Sequence, residues 1–256
     1  MTQATTSGST VGHHERPHRL CLLASSGYPL PIITFKNELK RIFEEKFSGK
    51  IGTNFSPFFT RIEENFDGKT GVLFVGKADN IEGRPQSIEA AFSQINGDYI
   101  RQIAEGCSGY HRSAYVRTSH EIAKELKKKG MTCFARTNLY KLSNTKKYTF
   151  GSEHDEANLE IFQMELEALK PKYVVLLTSG LEVSFLNYIS NKLGQQPKTI
   201  AEVNYSYQNR GKIRTKALKC IKIGNLNSIF ITALHPQGKP SNMAKVILDL
   251  IDKAQC

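Results

Sequence analysis

Three short apolar runs constrain this chain more than any other feature, because each stops abruptly in residues able to donate, accept or move protons. Residues 71–76 (GVLFVG) run into Lys77, Ala78, Asp79 and Asn80. Residues 132–136 (TCFAR) run into Thr137, Asn138, Leu139, Tyr140 and Lys141. Residues 229–234 (IFITAL) run into His235, Pro236, Gln237 and Gly238. Short apolar runs without alternation read as strands buried on both faces, as in a parallel sheet. Ligands of such sheets bind at the carboxyl ends of the strands. Asp79, Asn80, Asn138 and His235 are therefore expected to converge on one site despite their separation in sequence.

The intervening segments have helical spacing. Phe35, Leu39, Ile42, Phe43 and Phe47 form one stripe, closed by Ser48-Gly49. Residues 87–105 repeat apolar side chains at three and four. A helix capped by Ser119 is expected to run to Lys129, burying Ile122, Ala123 and Leu126 and stopping at Gly130. Ser152 and Asp155 make a capping box for a helix through Leu169, which Pro171 closes. Strand 173–178, helix 181–193, strands 218–223 and 228–234 around a Gly224-Asn225 turn, and a helix from about Asn242 to Lys253 complete the series. Residues 54–66 read as irregular, with aromatics suited equally to a core or to a stacking surface. Alternating strands and helices give an α/β class: three layers, α/β/α, around a mostly parallel central sheet.

Composition limits the partners. The 256 residues carry a formal charge of +11. Much of the excess lies between Lys192 and Lys222, where Lys192, Lys198, Arg210, Lys212, Arg214, Lys216, Lys219 and Lys222 face only Glu202. A surface of this kind suits a polyanion such as DNA, or is simply a solvated face. The five cysteines are widely spaced, with no C-x-x-C, which argues against a disulfide framework and against zinc or iron–sulfur sites. No apolar run is long enough to span a bilayer and no signal peptide is evident, so an intracellular protein is expected, in cytoplasm, nucleoid or nucleus. Residues 1–19 are expected to form a disordered tail, and 20–256 one α/β domain acting as a monomer.

Several chemistries are excluded by missing motifs. No G-x-G-x-x-G follows the first strand, and there is no P-loop, G-x-S-x-G elbow or H-E-x-x-H. Thr178-Ser179-Gly180 would supply a nucleophile only with a base nearby, and a strand-to-helix turn favours small residues in any case.

The Asp/Asn loop, the Asn after a second strand and the His-Pro loop after the last strand together resemble the uracil-DNA glycosylase superfamily. The matching segments are Gly76-Lys77-Ala78-Asp79-Asn80 with Gly83-Arg84-Pro85, then Thr137-Asn138-Leu139-Tyr140-Lys141, then His235-Pro236-Gln237-Gly238, with 166–177 (LEALKPKYVVLL) between them. They occur in family order across 71–251. The resemblance implies that fold and a glycosylase acting on uracil or a related damaged base flipped out of DNA, without metal or organic cofactor. It implies Asn138 as the reader of the base edge, His235 as the donor stabilising charge on the base, and Asp79 as the residue positioning water. In the following loop, Lys239, Ser241 and Met243 are expected to touch DNA, Met243 as a wedge. Tyr140, Phe92 and Tyr110 are the candidates for stacking.

The first loop is similar to that of the branch whose motif is Gly-Glu-Ala-Pro-Gly with a later Gly-Arg-Pro-Phe, and three positions depart from it. Lys77 stands where the branch has an acidic residue, Gln86 where it has Phe, and Gln237 where Ser is usual. A cation at Lys77 would oppose a developing oxocarbenium, so an inactive member of the fold that binds nucleic acid or a protein partner is the alternative.

Overall fold

The computed structural model describes residues 32–47, 55–63, 66–77, 87–93, 114–144, 155–237 and 242–255. The 1–19 stretch, Asp79, Asn80, Gln86, Tyr110, Lys239 and Ser241 lie outside them. In chain order the elements are α1 (Ile32–Phe47), β1 (Phe55–Pro57), β2 (Arg61–Ile62), β3 (Gly71–Gly76), α2 (Ile88–Phe92) and α3 (Ala114–Lys128). Then follow β4 (Cys133–Asn138), β5 (Leu142–Asn144), α4 (Asp155–Leu169), β6 (Tyr173–Leu177) and α5 (Glu182–Leu193). The chain ends with β7 (Pro197–Asn209), β8 (Lys212–Ile223), β9 (Ile229–Ala233) and α6 (Met243–Lys253).

Seven strands form one sheet in the order β2-β4-β3-β6-β9-β8-β7, and β1 pairs separately with β5. The four central strands β4, β3, β6 and β9 are parallel. The flanking strands β2, β8 and β7 are antiparallel to their neighbours. The sheet is thus mostly parallel in strand direction, as expected, and mixed at its flanks, where only β2 and β8 run against the rest. The reversal at β8 follows from the short connections that join β7, β8 and β9, where a parallel neighbour would need a crossover.

The apolar runs form strands because both faces of each are covered. Leu73, Val75, Ala135, Val174, Leu176 and Phe230 pack in one cluster with Phe35, Leu39 and Phe43 of α1, Phe162 of α4 and Phe185 of α5. The alternate residues Val72, Phe74, Phe134, Val175, Ile231 and Ala233 pack in a second cluster with Ile122 and Leu126 of α3 and Ile247, Leu250 and Ile251 of α6. Side chains of period two feed two cores from one strand. Helices on both faces give the α/β class and its three layers. Each large side chain so buried contributes about 1.5–3 kcal/mol.

Helix ends follow local chemistry. Gly194 closes α5 in the left-handed region at φ 62°, its N–H bonding Asn191 O at 3.2 Å. Gly130, at φ 82°, closes α3 and lets Met131 N donate to Leu126 O at 3.0 Å. The start of α3 differs from expectation: Ser119 lies inside the helix, which begins at Ala114. Tyr115, Val116 and Thr118 are buried, and their packing extends the helix a turn upstream of the Ser119 signal. Phe58 and Phe59, in the segment read as irregular, are core residues, with the Phe59 ring stacked 4.2 Å from Phe43. Among the described residues, no helix is long and apolar enough to cross a membrane.

Candidate functional site

The chain order sets where a ligand can sit. From β3 the chain passes to β4 on one side, then crosses back to β6 on the other side of β3, and continues outward to β9. This reversal places a topological switch point between β3 and β6, and ligands of such sheets bind at the carboxyl ends of the strands there. Gly76, Asn138, Ser179 and His235 all lie at that edge: Gly76 ends β3, Asn138 ends β4, Ser179 follows β6 and His235 follows β9.

Asn138 pairs in register with Gly76. Its side chain lies directly over that glycine, since a Cβ on Gly76 would meet Asn138 Oδ1 at 2.5 Å and the Tyr115 ring at 3.3 Å. Glycine at position 76 leaves room for this close approach, which a side chain there would displace. Asn138 is 1% exposed. Pairing continues beyond the strands, with Leu139 N donating to Gly76 O at 2.9 Å and Tyr140 N to Lys77 O at 3.0 Å. The start of the Lys77 loop is thereby held against the segment that follows Asn138.

On the far side of the switch point, β6 leaves the sheet through Thr178-Ser179-Gly180. Ser179 is in the left-handed region at φ 62° and Gly180 at φ 100°. Ser179 N donates to Ala233 O at 3.1 Å, and its Oγ accepts from His235 N at 2.7 Å. The hydroxyl that resembled a nucleophile in sequence fastens the His235 main chain to the β6 turn. Non-glycine backbone at positive φ persists where surroundings over-determine it, often at ligand clamps. The turn is held further by Glu182, a buried carboxylate in the first turn of α5 that accepts from Thr178 Oγ1 and from Gly180 N, the latter at 2.8 Å. A carboxylate is favoured at a helix N-terminus.

His235 is half-buried and its Nδ1 accepts from Gln237 N at 3.3 Å. An acceptor at Nδ1 assigns the proton of the neutral ring to Nε2, which is then a donor. Asn138 and His235 stand on strands three positions apart, a separation of about 14 Å at the usual interstrand spacing. They therefore stand on opposite sides of the switch point and do not share a contact made by the strands themselves.

Beneath Asn138, on the opposite face of β4, lies a buried polar knot. Lys141 and Glu165 are each fully buried and their ion pair is 2.7 Å long. Thr137 Oγ1 donates to Glu165 at 2.9 Å, Thr60 Oγ1 donates to the same carboxylate, and Lys141 N donates to Asn158 Oδ1 at 2.9 Å. Burial pulls the Lys141 ammonium below the usual lysine range, opposed by the charge and hydrogen bonds of Glu165. The knot ties the segment after β4 to α4, fixing the backbone from which Asn138 projects.

One expected contact is corrected. Met243 is 1% exposed and packs in the α3/α6 cluster. A wedge must stand at the surface, and Met243 instead anchors the first turn of α6 in the core. Two stacking candidates are likewise committed elsewhere: Tyr140 meets Phe185 edge-on at 6.0 Å, and Phe92 meets Phe59 edge-on at 5.8 Å. Sequence reasoning missed Ser179 as a positioning residue and Gly76 as the seat of Asn138. The mixed small residues of the β6 turn carried a signal for the first, but not for its partner.

No protein-family model and no curated protein matches this chain.

Proposed function

We propose that this protein is a uracil-DNA glycosylase-like enzyme that hydrolyses the N-glycosidic bond of uracil or a related damaged base flipped out of DNA. The observation that carries the reading is the placement of Asn138, buried at the carboxyl end of β4 and seated over Gly76 beside the switch point. A carboxamide held in this way can accept from the uracil N3–H and donate to O4, a pairing that cytosine does not offer.

The chemistry then divides among the strand-end loops. As the bond between C1′ and the base nitrogen breaks, its electron pair leaves with the base and the sugar gains oxocarbenium character. His235 Nε2–H donates to the base carbonyl where negative charge develops. Water adds to C1′, and Asp79 orients it and takes its proton. Ser179 holds the His235 backbone in place for this donation. Single-turnover cleavage of a uracil-containing oligonucleotide, with protein in excess, tests the reading. Abasic product from the native protein should fall by at least ~10²-fold in His235→Ala and Asn138→Ala. No product from the native protein would discard it.

A second reading is favoured by the identity of Lys77, a cation where the resembled family branch has an acidic residue, on a segment whose carbonyl accepts from Tyr140 N at 3.0 Å. An ammonium turned toward the reacting sugar would oppose its positive charge. A protein of this fold that binds nucleic acid without cleaving it would show retained DNA affinity and no abasic product.

A further inference from the structure

The hairpin β7–β8 is only half a part of the sheet. β8 pairs with β9 from Lys222↔Ile229 to Lys219↔Thr232, and residues below 219 have β7 alone as a partner. Because β8 runs antiparallel to β9, this free half extends past the carboxyl ends of the parallel strands. At about 3.4 Å per residue it projects about 20 Å over the edge that carries Asn138, Ser179 and His235. Its tip is a two-residue turn, Arg210-Gly211, with both residues at positive φ (50° and 76°), the geometry that matches the twist of a tight hairpin.

The projecting ribbon is chemically one-sided. Lys212, Arg214 and Lys216 alternate along β8 on the face shared with Tyr205 and Tyr207 of β7, which pair with Lys216 and Arg214. All three cations are exposed. The two tyrosine rings stack 6.0 Å apart, and Tyr205 Oη donates to Asn242 Oδ1 at 3.4 Å, bracing the base of the ribbon against the start of α6. On the other face Ile213 is 80% exposed, so no part of the described chain covers that face at the ribbon's tip. No acidic residue lies between Val203 and Ala217, a stretch that holds four cations. At the inner end, Lys216 Nζ stands 3.8 Å from where a Cβ of Gly180 would lie, so the row of charge reaches the β6 turn.

We propose that the outer β7–β8 ribbon is a phosphate rail that grips duplex DNA beside the carboxyl-edge site. Cations two residues apart on a strand are spaced about 6.8 Å, twice the 3.4 Å rise per phosphate along one DNA strand. A two-stranded ribbon is also narrow enough to enter the major groove. The rail rests on the reading of that edge as a base-binding site, and supplies the flanking contacts such a site needs to hold a duplex while one base is extruded.

The test is fluorescence anisotropy of an undamaged duplex oligonucleotide across a salt series, with no cleavage step. Lys212→Gln/Arg214→Gln/Lys216→Gln should lower the slope of log affinity against log salt by about 2.7, three contacts at about 0.9 each. Lys124→Gln/Lys127→Gln/Lys128→Gln, which removes equal charge from the end of α3, should leave the slope near the native value. Should the ribbon triple variant melt early, Arg214→Gln alone should lower the slope by about 0.9. An unchanged slope in the ribbon variants, an equal fall in the α3 variant, or no duplex binding by the native protein would overturn the proposal. So would ribbon-dependent binding to phosphatidylserine vesicles in place of DNA. Ribbon-dependent DNA binding without abasic product from uracil would discard the glycosylase reading and leave the rail standing.

Discussion

The parallel centre of the sheet and its antiparallel flank follow opposite rules. Strands β3 and β6 are buried along their whole length, and their sequences are continuous apolar runs. Strand β8 begins with five exposed residues in succession, and most of β7 is open to solvent. The centre is held by two packed cores and sets the positions of Asn138 and His235 to within the tolerance of packing. The outer flank is held by ladder hydrogen bonds and two tyrosines. A region of the first kind suits discrimination among small ligands, and one of the second suits a large, charged and compliant partner. Substitutions should therefore act on stability at the centre and on affinity at the flank.

The largest expected effect is at the knot beneath β4. Lys141→Met leaves the Glu165 carboxylate buried without its cation and should cost about 3–5 kcal/mol. Chemical denaturation measures this, and the double change Lys141→Met/Glu165→Leu should recover most of the loss. A single change costing less than about 1 kcal/mol would show that the centre does not depend on this pair.

A smaller effect on stability, but a large one on chemistry, is expected at Gly76→Ala. The added methyl would stand 2.5 Å from Asn138 Oδ1, so the carboxamide must move. Misplacement of about 1 Å costs about 10²-fold in rate, which single-turnover kinetics would detect against a folded control. The smallest effect belongs to the flank. Ile213→Thr, at the open end of the ribbon, should change unfolding free energy by no more than about 0.5 kcal/mol. A cost above 1 kcal/mol would mean that the ribbon tip is packed, and would blur the contrast between the two regions.

The same contrast decides how much was legible in sequence. Runs such as Val72–Val75 and Tyr173–Leu177 announced central strands, and Gly130 announced a helix end, because burial and left-handed backbone restrict residue choice. The His-Pro and Asn segments were legible as strand-end positions for the same reason. Strand β7 escaped because the basic residues around it drew attention to charge. Yet Ala201, Val203, Tyr205 and Tyr207 alternate with polar neighbours, and Arg210-Gly211 marks the turn, so period and turn chemistry together carried the signal. Met243 was misplaced because an apolar residue after a polar loop looks alike whether it points outward or begins a buried helix face. The contact between Ser179 and His235 was not legible at all, since the two residues are 56 positions apart and only the β6–β9 pairing brings their turns together.

The central claim is that Asn138 reads the edge of an extruded base, and its most direct test is the base preference of Asn138→Asp. Uracil and cytosine release from otherwise identical oligonucleotides would be compared under single-turnover conditions for the native and substituted proteins. A carboxylate accepts from the cytosine amino group and cannot donate to uracil O4, so the ratio of uracil to cytosine release should fall by at least ~10-fold. An unchanged ratio, with uracil release intact, would contradict the account.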